Sequence, residues 1–142
     1  MRLAGAALLV GLALAGCVSV EHVEHAEAED MCPAGQERLS TAQLFFGRNI
    51  GDTPRVSEAE FVRFVDEELT PRFPDGLTVF NGGGQWRGPE NQLVREASKI
   101  VLIVLPKQGE NTQRLQAVRT AYKTRFQQES VLQITQPACV SF

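Results

Sequence analysis

Six consecutive apolar residues, Ile100-Val101-Leu102-Ile103-Val104-Leu105, constrain this chain more than any other feature. They read as the strongest strand of the molecule, opened by Lys99 and closed by Pro106. Successive side chains of a strand point to opposite faces. Ile100, Leu102 and Val104 therefore face one way, and Val101, Ile103 and Leu105 the other. A sheet with one solvated face alternates apolar and polar residues. This run does not alternate, so it belongs in a sheet that is apolar on both sides.

The flanking segments supply the rest of the architecture. Gln43-Leu44-Phe45-Phe46, ended by Gly47, predicts a first strand. Ser57-Glu58-Ala59-Glu60 is a capping box, in which the serine hydroxyl and the Glu60 carboxylate satisfy free amide donors. Phe61, Phe64, Val65 and Leu69 follow at helical spacing, so a helix is expected over 58–69. Leu77-Thr78-Val79-Phe80 reads as a second strand. Gly82-Gly83-Gly84 interrupts it, and Gln85-Trp86-Arg87 is where it could resume. Gly88-Pro89-Glu90-Asn91 is a hairpin-like turn, from which Gln92 to Arg95 leads back into the strong strand. From Asn111 to Gln127, Leu115, Val118, Ala121, Tyr122 and Phe126 share one helical face. Val131 to Ile134 is the last strand, expected to end before Pro137.

The fold class expected is α+β, a ferredoxin-like split β-α-β-β-α-β with two helices on one face of the sheet. In that topology the first and last strands are antiparallel neighbours. Cys32 precedes the former and Cys139 follows the latter, so the fold brings the two sulfurs to one end of the sheet. Neither helix would cover the second sheet face, which would carry Phe45, Phe80, Val101 and Ile103. An uncovered apolar patch of this kind marks an interface or a ligand groove. The expectation is a homodimer through this face. The alternatives are an envelope protein partner, or carriage of a small apolar ligand between this face and the Trp86 hairpin.

The amino terminus predicts where the domain resides. Arg2, an apolar stretch from Leu3 to Ala15, and a small-residue exit compose a secretory signal peptide, too short to span a bilayer. Leu14-Ala15-Gly16-Cys17 resembles the lipobox of bacterial lipoproteins. The resemblance implies cleavage before Cys17, lipidation of its sulfur, and a membrane anchor through that lipid. Val18 is not the aspartate associated with inner-membrane retention, so the resemblance implies the outer membrane, facing the periplasm. The expected organisation is a leader over 1–16, a lipidated cysteine and acidic flexible tether over 17–38, and one domain over 39–142. With Cys17 assigned to lipid, Cys32 and Cys139 are the remaining cysteines, an even pair in an oxidising compartment, and read as one disulfide.

Three further segments, Thr70 to Val79, Gly84-Gln85-Trp86-Arg87 and Ala138-Cys139-Val140-Ser141-Phe142, look like the bacterial envelope family named domain of unknown function 3574. The similarity covers roughly residues 32 to 142. It implies a small secreted or lipid-anchored domain and carries over no functional residue.

Little chemistry is written in the residues. The full chain has a net charge of −3, and removing the leader with its single Arg2 makes it −4. Such a chain lacks the basic footprint of a nucleic-acid binder. Both histidines, His22 and His25, lie in the tether, where nothing fixes a coordination geometry. Beyond residue 30 there is no histidine, which removes Ser-His and Cys-His catalysis and the usual metal sites. No metal and no cofactor is expected. Asp66, Glu67 and Glu68 are read as solvated, with Arg63 and Glu67 paired at i, i+4. The glycine triplet precedes no helix, so a bulge or bend is a better reading than a phosphate loop. Trp86 and Arg87, with Arg95 opposite, form a candidate ligand or partner patch, since tryptophan and arginine dominate binding hot spots. An enzyme relying on Glu, Arg, Tyr122 or Lys groups is the remaining alternative.

Overall fold

The computed structural model describes residues 32–50, 53–54 and 56–142. Cys17 and the leader lie outside the described residues. Four strands form one antiparallel sheet: β1 (Glu37–Gly47), β4 (Thr78–Arg87), β5 (Leu93–Leu105) and β6 (Leu132–Val140). Their order is β4-β5-β1-β6, with every neighbouring pair antiparallel. A two-residue pair, β2 (Asn49–Ile50) and β3 (Thr53–Pro54), follows β1. Helix α1 (Glu58–Phe64) runs into a π-helical turn (Val65–Leu69), and α2 (Asn111–Phe126) connects β5 to β6. The class is α+β, as expected.

Helix α1 begins on a local signal, and both helical segments end on one. The Ser57–Glu60 capping box is formed: Ser57 N–H donates to Glu60 Oε2 at 2.8 Å and Glu60 N–H to Ser57 Oγ at 3.3 Å. The helical periodicity holds to Leu69, and the wider turn closes when Thr70 N–H donates to Val65 O at 2.9 Å. Arg63 and Glu67 do not pair. Glu67 instead accepts from Arg125 Nη1 of α2 at 2.8 Å, an ion pair between the helices rather than along one. Helix α2 stops at Gln127, which takes a left-handed conformation with φ 54°.

The core lies between the helices and one face of the sheet. Ala42, Leu44 and Phe46 of β1 and Val101, Ile103 and Leu105 of β5 pack under Phe61, Phe64, Leu115, Val118 and Tyr122, all buried. Phe46 is the hub, with ring centroids 4.6 Å from Tyr122 and 5.6 Å from Phe61. Tyr122 Oη donates to Gly47 O at 2.8 Å, which gives the one polar atom of that cluster a partner.

Three strand boundaries differ from the sequence reading. β1 starts at Glu37, because its polar first half is held by backbone pairing with β6, from Glu37↔Val140 onward. β4 runs straight through the glycines, with Gly82, Gly83 and Gly84 paired one to one with Ser98, Ala97 and Glu96, so there is no bulge. A Cβ on Gly82 would lie 2.9 Å from both Ile100 Cδ1 and Ser98 Oγ, so a larger residue there requires those two side chains to move, whereas Gly83 and Gly84 have room for one. β6 continues through Pro137, opposite Ser40. As an edge strand it needs no donor on its outer side, so a residue without an N–H is tolerated.

Candidate functional site

The cysteine pair is where the topology requires it. β1 and β6 are neighbours, and Cys32 is bonded to Cys139 with Cα atoms 5.5 Å apart across 107 residues of sequence. The bond ties the segment before β1 to the end of β6, at one edge of the sheet.

On the sheet face away from the helices, the register aligns Phe80, Ile100, Phe45 and Leu132 in one row across all four strands. The next row is Thr78, Leu102, Gln43 and Ile134, and Val104 lies beside Thr41 beyond it. Phe80 is 47% exposed, Leu132 57% and Ile134 41%. From Leu39 to Gly47 and along the other three strands, Glu96 is the one charged residue in this phase. Its Oε1 accepts from Asn49 N–H at 2.7 Å. Glu37, at the rim, is paired with Lys107 at 2.9 Å.

The expected face is corrected in its phase. Phe45 and Phe80 do lie on the open side, but Val101 and Ile103 are 0% and 1% exposed beneath the helices. Their places on the open face are taken by Ile100, Leu102 and Val104. Both phases of β5 are apolar, so periodicity alone could not say which one the helices cover.

The Trp86, Arg87 and Arg95 patch does not assemble. Trp86 follows Phe80, Gly82 and Gly84 in the open-face phase, opposite Val94, and is 47% exposed. Arg87 and Arg95 lie in the opposite phase. Arg87 Nη1 donates to the Asn91 carbonyl at 3.0 Å within the hairpin turn, and Arg95 Nε donates to Gln85 Oε1 at 3.1 Å. Trp86 therefore extends the apolar face, while the arginines brace the hairpin.

A polar group that sequence reasoning missed lies on the helix side. Lys99 continues the phase of Val101, Ile103 and Leu105 and is only 3% exposed. Its Nζ donates to Glu58 Oε1 at 2.6 Å and to Asn81 Oδ1 at 2.7 Å, and stands 5.7 Å from the Phe61 ring centroid. The Lys99 hydrogen bond holds the Glu58 carboxyl below its ordinary range, with burial opposing the shift. Arg48 Nη1 approaches the other Glu58 oxygen at 3.5 Å. Lys99, Glu58, Asn81 and Phe61 border a cleft of about 310 Å³ between α1 and β4, lined also by Val62, Val65, Asp66 and Val79. The signal available in the sequence was a lysine in phase with a buried apolar row.

Two solved structures share the fold. A phage SAM lyase in complex with S-methyl-5'-thioadenosine is 21% identical with a TM-score of 0.57, over 79% of this chain and 94% of that one. The same description, a phage SAM lyase in the apo state, gives 21% identity and a TM-score of 0.56 over the same shares. No curated protein matches the sequence. The family model described as "Protein of unknown function (DUF3574)" matches residues 41–142, most of the chain and nearly all of the folded part. The chain belongs to that family.

Proposed function

We propose that this is a lipid-anchored envelope protein whose domain acts as an interaction module, pairing with a second copy through the open sheet face. The observation that carries the reading is the apolar row Phe80, Ile100, Phe45 and Leu132, which crosses every strand of a face bearing almost no charge. Four strands about 4.8 Å apart and four rows about 6.7 Å apart give a footprint of about 500 Å². Two such faces stacked about 10 Å apart bury about 1,000 Å² together, the lower bound for a biological interface and the size of a weak, reversible pair. Symmetric pairing is the commonest way for a chain to cover a patch of its own. The strand order β4-β5-β1-β6, with each helix crossing over a strand, supports the ferredoxin-like description of the scaffold. That scaffold is shared with an enzyme, but fold alone assigns no chemistry.

The anchoring half of the proposal rests on Leu14-Ala15-Gly16-Cys17 and places the protein in the outer membrane, facing the periplasm. Cells fed labelled palmitate should label the wild-type chain, and Cys17→Ala should lose the label. Persistent labelling of that variant would refute the lipobox reading. The pairing half is tested by sedimentation equilibrium of residues 18–142 exported behind a cleavable leader. The wild type should be dimeric at tens of micromolar. Ile100→Glu should be monomeric with unchanged circular dichroism, because it places like charges in the apolar centre of the interface. A wild-type monomer would sink the dimer, and an added small-molecule mass in native mass spectrometry would favour the ligand-carrier alternative.

A further inference from the structure

An edge strand presents a row of unpaired N–H and C=O groups, and proteins blunt such edges with proline, charge or a bulge. The sheet has two edges, β4 and β6. β6 carries Pro137, and the Cys32–Cys139 bond ties down its end. β4 has none of these devices. Thr78 to Trp86 holds no charge and no proline, and its register with β5 runs unbroken from Thr78 to Arg87. Every second residue of that strand turns its N–H and C=O away from β5. Among the described residues no strand lies on that side.

The sequence of this edge reads nearly the same in both directions. Around Gly83 it runs Phe80-Asn81-Gly82-Gly83-Gly84-Gln85-Trp86, with glycine matched to glycine, amide to amide and aromatic to aromatic at equal distances from the centre. Two antiparallel copies of β4 related by a two-fold axis at Gly83 would set Phe80 against Trp86, Asn81 against Gln85 and Gly82 against Gly84. Phe80 and Trp86 are each 47% exposed and share the open-face phase, so both aromatic pairs would fall on that face. Aromatic residues directly opposite one another across strands stabilise a sheet. An axis at Gly82 or Gly84 would set the two aromatics against glycine or Thr78 instead. The axis at Gly83 also brings Arg87 of the second copy opposite Val79, on the helix side. Val79 lines the cleft in which two carboxylates, Glu58 and Asp66, stand against the single ammonium of Lys99, so the incoming charge meets the opposite sign.

We propose that two copies of this chain also join edge to edge through β4, antiparallel about Gly83, into one eight-stranded sheet. The strand pair covers about 30 Å by 10 Å on each copy and buries about 600 Å² together. A contact of that size is weak and reversible. It uses a different surface from the stacked open faces and does not depend on them. Its two-fold axis stands perpendicular to the sheet, which leaves both open faces on one side and free to stack.

The test traps the pair covalently in cells expressing the full chain. In Gly83→Cys the two new sulfurs lie opposite each other across the axis, within disulfide reach of adjacent strands. The site has room, since a Cβ there would meet nothing closer than Glu96 O at 3.9 Å. Mild oxidation with copper phenanthroline should give a band of twice the monomer mass on a non-reducing gel, and mass spectrometry should place the link between the two position-83 sulfurs. In Gln85→Cys the equivalent sulfurs are four residues out of register, about 14 Å apart, so no band is expected. Position 83 is in the helix-side phase, so pairing through the open faces cannot form the link, and the band should persist when Ile100→Glu is added. A benzoyl-phenylalanine at position 85, which leaves the glycines intact, should crosslink to Asn81 or its neighbours in the second copy. Monomer alone from the folded Gly83→Cys protein would overturn the proposal; if that variant does not fold, monomer alone from the position-85 probe would do so. Equal bands from Gly83→Cys and Gln85→Cys, the mark of random collision, would also overturn it, as would loss of the band with Ile100→Glu.

Discussion

Reducing or removing the Cys32–Cys139 bond should cost more stability than any other single change outside the core. The two cysteines are 107 residues apart, so the bond closes nearly the whole domain into one loop. For a loop of that length the chain-entropy treatment gives about 16 cal/mol/K of entropy removed from the unfolded ensemble, or about 4.8 kcal/mol at 25 °C. A domain of about 110 residues unfolds with an entropy near 0.23 kcal/mol/K, so the full effect corresponds to about 20 °C in thermal midpoint. β1 and β6 pair from Glu37↔Val140 onward whether or not the sulfurs are joined, so the native sheet should persist. The loss therefore falls mainly on the unfolded side of the equilibrium. The assay is circular dichroism melting of wild type and Cys139→Ser, each with and without reductant. Wild type should lose at least 8–10 °C on reduction, about half the full effect, and reductant should leave the variant unchanged. Equal midpoints for oxidised and reduced wild type would refute the loop argument, and intact-mass detection of two free thiols in periplasmic material would refute the bond itself.

Two further predictions concern protons. The chain has one tyrosine, and burial pushes the Tyr122 hydroxyl well above its ordinary 10.0, as does, more weakly, Glu96 against an opposing Arg48. Its stabilising contribution is present below about pH 10 and is lost as pH rises beyond it, so tyrosinate absorbance should appear only with unfolding; ionisation near 10 in the folded protein would contradict the packing described. Glu58 and Glu60 are held below 4.5, the first chiefly by the Lys99 hydrogen bond and the second by the Ser57 hydroxyl and amide. Their contribution is present above that value and lost as pH falls through the lowered one. The thermal midpoint should therefore drop on acidification below pH 4.5, and less steeply in Glu60→Gln; an identical acid limb in that variant would show that the capping box contributes nothing. A separate variant, Tyr122→Phe, keeps the aromatic packing and should cost about 1–2 kcal/mol by leaving Gly47 O without its donor, measured by urea denaturation.

How much of this was legible beforehand follows from what each residue can report. The helices were readable because Ser57, Glu60 and the spacing of Phe61, Phe64, Leu115, Val118 and Tyr122 are local signals with a period of their own. The disulfide was readable because the strand order that the pattern implied brings Cys32 and Cys139 to one edge. The glycine triplet and Pro137 misled because each was judged as a local breaker. In the sheet, Gly82 is held by pairing with Ser98, and Pro137 tolerates its missing donor because β6 is an edge. The phase of Ile100–Leu105 was unreadable in principle: a run apolar in both phases is compatible with either face. Lys99 carried the information that was overlooked. It shares the phase of Val101 and Ile103 and finds Glu58 and Asn81 across long stretches of sequence, and such pairings become visible only with the register in hand.

The central claim, that copies of this protein meet through the open sheet face, is tested most directly by in-cell photocrosslinking from position 45. A benzoyl-phenylalanine in place of Phe45 sits in the middle of the Phe80, Ile100, Leu132 row without entering the helix-covered core. On irradiation of intact cells it should yield a band of twice the monomer mass. Mass spectrometry should place the link on Ile100, Leu102, Phe80 or a neighbouring residue of the second copy. The same probe at Val62, exposed on α1, should give no such band. Monomer alone from position 45, or a link to a different protein, would contradict the account.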